Sequence, residues 1–417
     1  MKLMIKNAIW CMLLLLASCA GVDDIHLPDD GKPEEVTPLD EAVVTQLQRH
    51  TAGKGYPVVI MGDGFTKKAL SDGTYRSATQ KIIDALFAYE PMTSLRQYID
   101  IYEITAVSTD NGVTTTKGNT AFSTHLVGGN STTIYGDSIN VLKYGAKALS
   151  NNIVNMNRAM YIVFLNSDKY AGITMLSADT TVTDSIPSGF SLSYIPVYAK
   201  TDKMSNEKLL PLLVQHEVVG HGIAKLADEY HYLTDATASD VKQYYAARKH
   251  GLFMNIHYEP NQIGTKYDRL TEQIGTVKKT YDVYKHDVED YCFFAPLVHD
   301  AQHRYDSENL CWYEGANVFP KNFYRPTLQS MMNETLKSGN DFFNAPSRVM
   351  IYKRIMREAF GTSFSCDLTK TEDYNRFVDF DAPSIAKPLS ARGIKNFASS
   401  VDTQDETLPL PPPILIK

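Results

Sequence analysis

The stretch Leu209–Tyr230, LLPLLVQHEVVGHGIAKLADEY, decides how the chain is read. Its apolar residues recur at helical spacing, and it carries His216, Glu217, His221, Asp228 and Glu229. Two histidines beside a glutamate form the composition of zinc-hydrolase sites, where HExxH sets the histidines four apart, about 40° around a helix and on one face. Here the separation is five, from His216 to His221. In a regular helix five positions turn through about 140°, which points the imidazoles apart. A π-bulge widens one turn to about 4.4 residues and returns such positions to one face, and bulges of this kind favour functional sites. The spacing therefore predicts a π-bulge between Glu217 and His221, with Gly220 tolerating close approach and strained dihedrals. The neighbours are apolar, so the histidines lie in a buried helix where unpaired polar groups are costly and a metal ion would satisfy them.

Working outward, Tyr56–Met61 (YPVVIM) reads as a buried strand that ends in the turn signal Gly62-Asp63-Gly64. Three residues without a lysine or a longer glycine frame make that turn no phosphate loop. Ile99–Val107 and Met160–Leu165 read as further strands, with helical stretches at Lys67–Tyr89 and Ile139–Ile153 between them. Strands alternating with helices predict an α/β architecture with a mostly parallel sheet. There is no internal repeat, and even proline and glycine punctuation predicts one domain over 46–395.

The 417 residues carry a net charge of -7 with 21% charged residues, which describes a globular protein with ample apolar material for a large core. A mild acidic balance without a Lys/Arg block argues against nucleic acid as a partner, because that binding needs clustered positive charge. Lys2 and Lys6, the apolar run Ala8–Ala17 and Leu16-Ala17-Ser18-Cys19 resemble a bacterial lipobox. The run is too short to span a bilayer, so 1–18 is expected to be a signal peptide and Cys19 a lipidated residue anchoring the chain to the outer membrane, where acidic residues soon after the Cys are compatible with display on the outer surface. Residues 19–45 then read as a solvated tether and 396–417 as a Pro-rich tail, with Leu408–Pro413 (LPLPPP) extended and poorly packed. Cys292, Cys311 and Cys366 allow at most one disulfide, and their wide spacing carries no metal signature, so packing is their expected role. Nothing specifies an oligomeric state.

HEVVGHGIAKLADEY resembles the active-site segment of the bacterial IgA-peptidase-like metallopeptidases, whose pattern is His-Glu, one or two residues, Gly-His, then Leu-x-Asp-Glu-Tyr. VVIMGDGFT near the start, WYEGANVF at Trp312–Phe319, YRPTLQSMMN at Tyr324–Asn333 and FNAPSRVMIYKRIM at Phe343–Met356 agree in order. The departures are the extra residue in the His-Glu motif relative to many members and the long stretch between Tyr230 and Cys311. The resemblance implies a metzincin-like catalytic domain, a mixed sheet over an active-site helix, with a Met-turn at Ser330-Met331-Met332-Asn333. Met332 rather than Met331 fits the third position of an S-x-M pattern and would form an apolar floor without ligating metal.

It further implies one catalytic zinc with three protein ligands and a water. Metzincins place the third ligand six residues after the second histidine, but position 227 is Ala. The nearest ligand types are Asp228, which is taken as the ligand, and Glu229, the alternative, with Asp228 then orienting a histidine. Glu217 is the expected general base, and Tyr324, Arg325 and His303 are candidates for oxyanion or supporting roles. Arg325 is equally open to an ion pair with Glu314 or Asp63. Sites of this type hold an extended polypeptide against a sheet edge, so a peptide substrate is expected, and Tyr230 is expected to pack or hydrogen-bond nearby. A surface lipoprotein that keeps the fold for binding alone is the rival reading, and the intact Glu217 argues against it.

Overall fold

The computed structural model describes residues 42–128, 131–179, 186–261, 264–274, 277–337, 339–386 and 409–416. The expected leader, Cys19 and nearly all of the tether lie outside the described residues.

The long apolar runs become the inner strands of a seven-stranded sheet. Its strands are β1 (Val44–Gln48), β2 (Tyr56–Asp63), β3 (Ile99–Ile104), β6 (Met160–Leu165), β7 (Ile173–Ser177), β8 (Ser191–Pro196) and β14 (Ile414–Ile416), in the order β1-β3-β2-β6-β8-β7-β14. Pairings β3/β2, β2/β6, β6/β8 and β7/β14 are parallel, while β1/β3 and β7/β8 are antiparallel. The fold is therefore mixed α/β with a mostly parallel central sheet, as the alternation of elements predicts. A short pair, β4 (His125–Leu126) with β5 (Ile134–Tyr135), stands apart from it.

Both faces of the sheet are covered, which is why its inner strands read as continuous apolar runs rather than alternating ones. Tyr56, Val58 and Ile60 of β2 and Met160, Ile162 and Phe164 of β6 face one core, which also receives the helices Thr74–Leu86, Asn206–Leu213 and Ala345–Phe360. Val59, Met61, Tyr161, Val163 and Leu165 face the other, beneath the helix Ser138–Ala148. The first core runs from Tyr56 to Phe377 and Leu410, gathering side chains from both ends of the described chain.

The stretch between Tyr230 and Cys311 supplies part of a second, antiparallel sheet of β9 (His257–Tyr258), β10 (Thr265–Ile274), β11 (Val277–His286), β12 (Trp312–Ala316) and β13 (Phe319–Arg325), ordered β10-β11-β12-β13-β9. The expected helix over Lys67–Tyr89 is two helices, Lys67–Ser71 and Thr74–Leu86, divided at Gly73 with φ +82°. A Cβ there would meet nothing, so left-handed backbone rather than crowding favours glycine. The expected helix over Ile139–Ile153 ends at Ala148, because Ser150 and Asn151 both take positive φ before a short helix begins at Ile153. Cys292, Cys311 and Cys366 are unpaired thiols, the last two buried.

The tail departs most from expectation. Far from being poorly packed, Pro409–Ile416 lies against the sheet: Leu410 is buried and Ile414, Leu415 and Ile416 pair with Met175, Leu176 and Ser177 of β7. Pro411, Pro412 and Pro413 have no N–H to give, so ladder pairing starts at the first residue that does.

Candidate metal centre

Leu209–Tyr230 is not one helix. Asn206–Leu213 is α-helical, Val214–Ile223 is a π-helix, and the chain leaves it at Ala224. Lys225 then takes φ +54°, and Asp228 stands on the irregular segment that follows. The π-turn does what the spacing of five requires: the His216 and His221 rings come together with centroids 4.8 Å apart, nearly perpendicular at 87°. Gly220 contributes through closeness alone, since a Cβ there would fall 2.1 Å from Met332 Sδ.

The wide helix lies on β7 and β8, and hydroxyls on those strands meet it. Thr174, Ser191 and Ser193 point to the side opposite Leu192 and Tyr194. Thr174 Oγ1 lies 2.6 Å from Glu217 Oε2 and 2.9 Å from the Glu217 carbonyl, and Ser193 Oγ is 2.7 Å from Thr174 Oγ1. Ser191 Oγ donates to the Gly222 carbonyl at 2.7 Å. One hydroxyl has one proton, so the shortest contact assigns that of Thr174 to the carboxylate.

His216, His221 and Asp228 converge, their ligand atoms all within 4.8 Å of one another and all three side chains buried. His216 Nδ1 is 2.8 Å from the Met331 carbonyl, and His221 Nδ1 is 2.8 Å from that of Leu226. Each Nδ1 proton is thereby committed, which turns both Nε2 atoms toward Asp228 Oδ1, 3.2 Å from each. Two imidazole lone pairs facing a carboxylate in a dry interior require positive charge among them, a proton or a metal ion. A proton shared between His216 Nε2 and Asp228 Oδ1 leaves His221 Nε2 and Asp228 Oδ2 without a hydrogen bond. Burial opposes a charge on His221, yet the Asp228 carboxylate beside it holds its pKa up at about 9. Burial likewise opposes the Asp228 charge, and the contacts of His221 and His216 outweigh it, keeping that carboxyl below the usual range.

Glu217 stands beside this cluster, its pKa raised by burial and tempered by the two histidines and Thr174. Oε1 has no hydrogen-bond partner, and the wall next to it is Gly172, where a Cβ would come within 3.0 Å of that oxygen. Glu229 points elsewhere. Its carboxylate accepts from Asn255 Nδ2 at 2.9 Å, from Asn344 Nδ2 at 2.9 Å and from the Ser330 hydroxyl, and its backbone N–H donates to the Met332 carbonyl. Burial raises its pKa against those donors. Of the two acidic candidates, Asp228 joins the histidines, and Glu229 ties their segment to Ser330–Asn333.

Tyr230 stacks on His216 at 6.2 Å and on Tyr232 at 6.1 Å, and its hydroxyl donates to the Leu410 carbonyl at 2.8 Å. The remaining candidates lie elsewhere. Tyr324 packs edge-on against His286 of the second sheet, and Arg325 donates to the Gly315 carbonyl, close enough to Glu229 to favour its charge. Asp63 is instead bound by Ser108, Thr120 and Thr124. His303 is a surface residue paired with Asp306, its position following from a loop that the sequence did not locate. Sequence reasoning missed Thr174, Ser193, Asn255 and Asn344. The alternation Ser191-x-Ser193 on a strand was the available signal for the hydroxyl face.

A buried His-His-Asp cluster with a glutamate at its side, on a mixed α/β scaffold, defines a metallopeptidase-type hydrolase. A family model described as IgA Peptidase M64 matches residues 47–283, and the chain belongs to that family. No curated protein matches the chain.

Proposed function

We propose that the chain is a zinc-dependent endopeptidase of the metzincin type acting on extracellular polypeptides. The observation that carries this reading is the convergence of His216 Nε2, His221 Nε2 and Asp228 Oδ1, with the partnerless Glu217 Oε1 beside them. Ligands about 2.1 Å from one tetrahedral zinc stand about 3.4 Å apart; Asp228 Oδ1 is 3.2 Å from each Nε2, and the three atoms all lie within 4.8 Å of one another, which supports a shared metal ion. Bound there, zinc supplies Lewis acidity, acidifying a water and polarising a peptide carbonyl.

The protein's own part is positioning and proton transfer. The committed Nδ1 atoms of His216 and His221 hold both rings in the ligating tautomer. Thr174 fixes Oε2 of Glu217, which leaves Oε1 to take the proton of the attacking water and pass it to the leaving amine nitrogen. Burial raises the Glu217 pKa, bringing the base nearer the working pH. Met332, whose sulfur approaches Gly220, fits the Met-turn role beneath the site. The immunoglobulin A of the family description is not carried over as a substrate. Residues Leu16–Cys19 support anchoring at a bacterial outer membrane through lipid on Cys19, which labelling with radioactive palmitate in the producing cell would test.

The experiment is metal content together with peptide cleavage, comparing the chain from Leu39 onward with its Glu217→Ala variant. Both are expected to hold about one zinc, and only the parent to cleave a diverse peptide library. Absence of bound zinc in both would overturn the reading, leaving a binding lipoprotein with the same fold.

A further inference from the structure

The metal-site side chains are fully enclosed, His216, Glu217 and His221 at 0% exposure and Asp228 at 1%. An endopeptidase needs a path by which a chain reaches these groups, so whatever encloses them matters. The chain's own Pro409–Ile416 is held by the neighbours of these groups. Its Pro409 carbonyl accepts from Thr132 Oγ1 at 2.8 Å, and the Thr132 carbonyl in turn accepts from Gly172 N–H, the wall beside Glu217 Oε1. One residue on, the Leu410 carbonyl accepts from Tyr230, whose ring stacks on His216. The segment is thus tied on one side to the wall of the general base and on the other to the ring lying on a metal-site histidine.

Beyond these ties, Ile414–Ile416 runs along β7, the strand that carries Thr174, and Leu415 packs with Leu176, Ala227 and Tyr230. β14 covers the β7 edge opposite β8, the same hydrogen-bonding groups that an added peptide strand would need. The composition suits a resident occupant. Four of the five residues Pro409–Pro413 are proline, already extended before they dock, so little conformational freedom is lost on seating. All four lack the N–H that would lock this part into the ladder, so the hold rests on Leu410, two side-chain hydrogen bonds and a three-residue strand.

We propose that Pro409–Ile416 is an intramolecular occupant of the polypeptide-binding edge, and that the chain works as a peptidase only when this segment leaves β7. The inference rests on the peptidase reading above and adds its regulation. It also names the ligand class of the edge: an extended peptide with an apolar residue at the place of Leu410.

The test uses the full zinc-loaded chain and its Leu410→Asp variant, which buries a charge where the segment is seated. Hydrogen exchange at the amides of β7 and cleavage of a mixed peptide library are read on both, with thermal melting as the check on folding. The variant is expected to exchange at Met175–Ser177 at least tenfold faster and to cleave at least tenfold faster. A synthetic PLPPPILI peptide added in trans should reverse both changes. Thr132→Val, which removes one tie outside the metal site, should move both in the same direction by a smaller factor, and it stands in if Leu410→Asp does not fold. Faster exchange with equal cleavage by both forms would overturn the gate alone and make the segment a structural edge strand. Unchanged exchange in a folded variant would also overturn it. Cleavage by neither form would strike the peptidase reading, and the gate with it.

Discussion

The hydroxyl of Thr174 lies 2.6 Å from Oε2 of Glu217, both residues buried, and a strand of the central sheet thereby fixes the one carboxylate next to the His-His-Asp cluster. A hydrogen bond to a charged group contributes about 1.5–3 kcal/mol, and each 1.4 kcal/mol is about a factor of ten in rate. Thr174→Val should therefore lower kcat by about tenfold or more while metal content and KM change little, and Thr174→Ser should recover most of the loss. Steady-state kinetics on one cleavable peptide decides it; an unchanged kcat would show that Glu217 needs no such support.

Asp228 and Glu229 are neighbours with separate tasks, and substitution separates them. On the zinc reading proposed above, Asp228→Asn replaces one of three proposed ligands and should lower zinc affinity strongly with little effect on melting. Glu229→Gln places an amide N–H₂ among donors from Ser330, Asn255 and Asn344, and should cost about 1–3 kcal/mol of stability with zinc still bound. Competitive zinc titration and urea denaturation read the two effects. The reverse pattern would make Glu229 the ligand.

Arg348 is 1% exposed and donates to Asp381 through Nε and Nη2, to Glu308 through Nη2 and to the Phe343 carbonyl. Arg348→Met leaves two buried carboxylates facing each other without their cation. A loss of about 3–5 kcal/mol is expected, because breaking a buried pair strands its partner. Restoring most of the stability by adding Asp381→Asn and Glu308→Gln would confirm that stranded charge is the cause.

Lys225 is buried, and desolvation, with the Arg354 guanidinium nearby, holds its pKa well below the usual lysine range. Between that lowered value and the unfolded value of about 10.4, the unfolded chain carries a proton that the folded chain lacks, so this group's contribution to stability rises with pH. Lys225→Met should melt above the parent at pH 7, with the gap closing toward pH 10. There the neutral amine keeps its bonds to the Phe190 carbonyl and Ser191 without an ionisation cost. A gap independent of pH would mean that Lys225 does not titrate in this interval.

What the sequence made legible follows from where the physics is local. Met160–Leu165 is a strand from end to end, its six consecutive apolar residues matching a position covered on both faces of the sheet. The spacing from His216 to His221 was enough to expect a widened turn, since a regular helix cannot point both rings one way. Other features depended on partners remote in sequence. Nothing at Lys225 announces positive φ, so the helix seemed to run on to Tyr230. The proline-rich tail reads as extended in any setting, and only Thr132, Tyr230 and β7, distant along the chain, determine that it packs. Polar residues alternating on β8, with Thr174 beside them on β7, look like a solvated face until a helix is laid over them.

That hydroxyl face has a use beyond this molecule. A helix widened to about 4.4 residues per turn and a strand carrying Ser-x-Ser upstream form a two-part sequence signature, here Ser191-Leu192-Ser193 with His216-Glu217 and Gly220-His221. A search that required both halves would separate chains able to hold this turn from those in which a histidine pair five apart is accidental. It would do so before any coordinates existed.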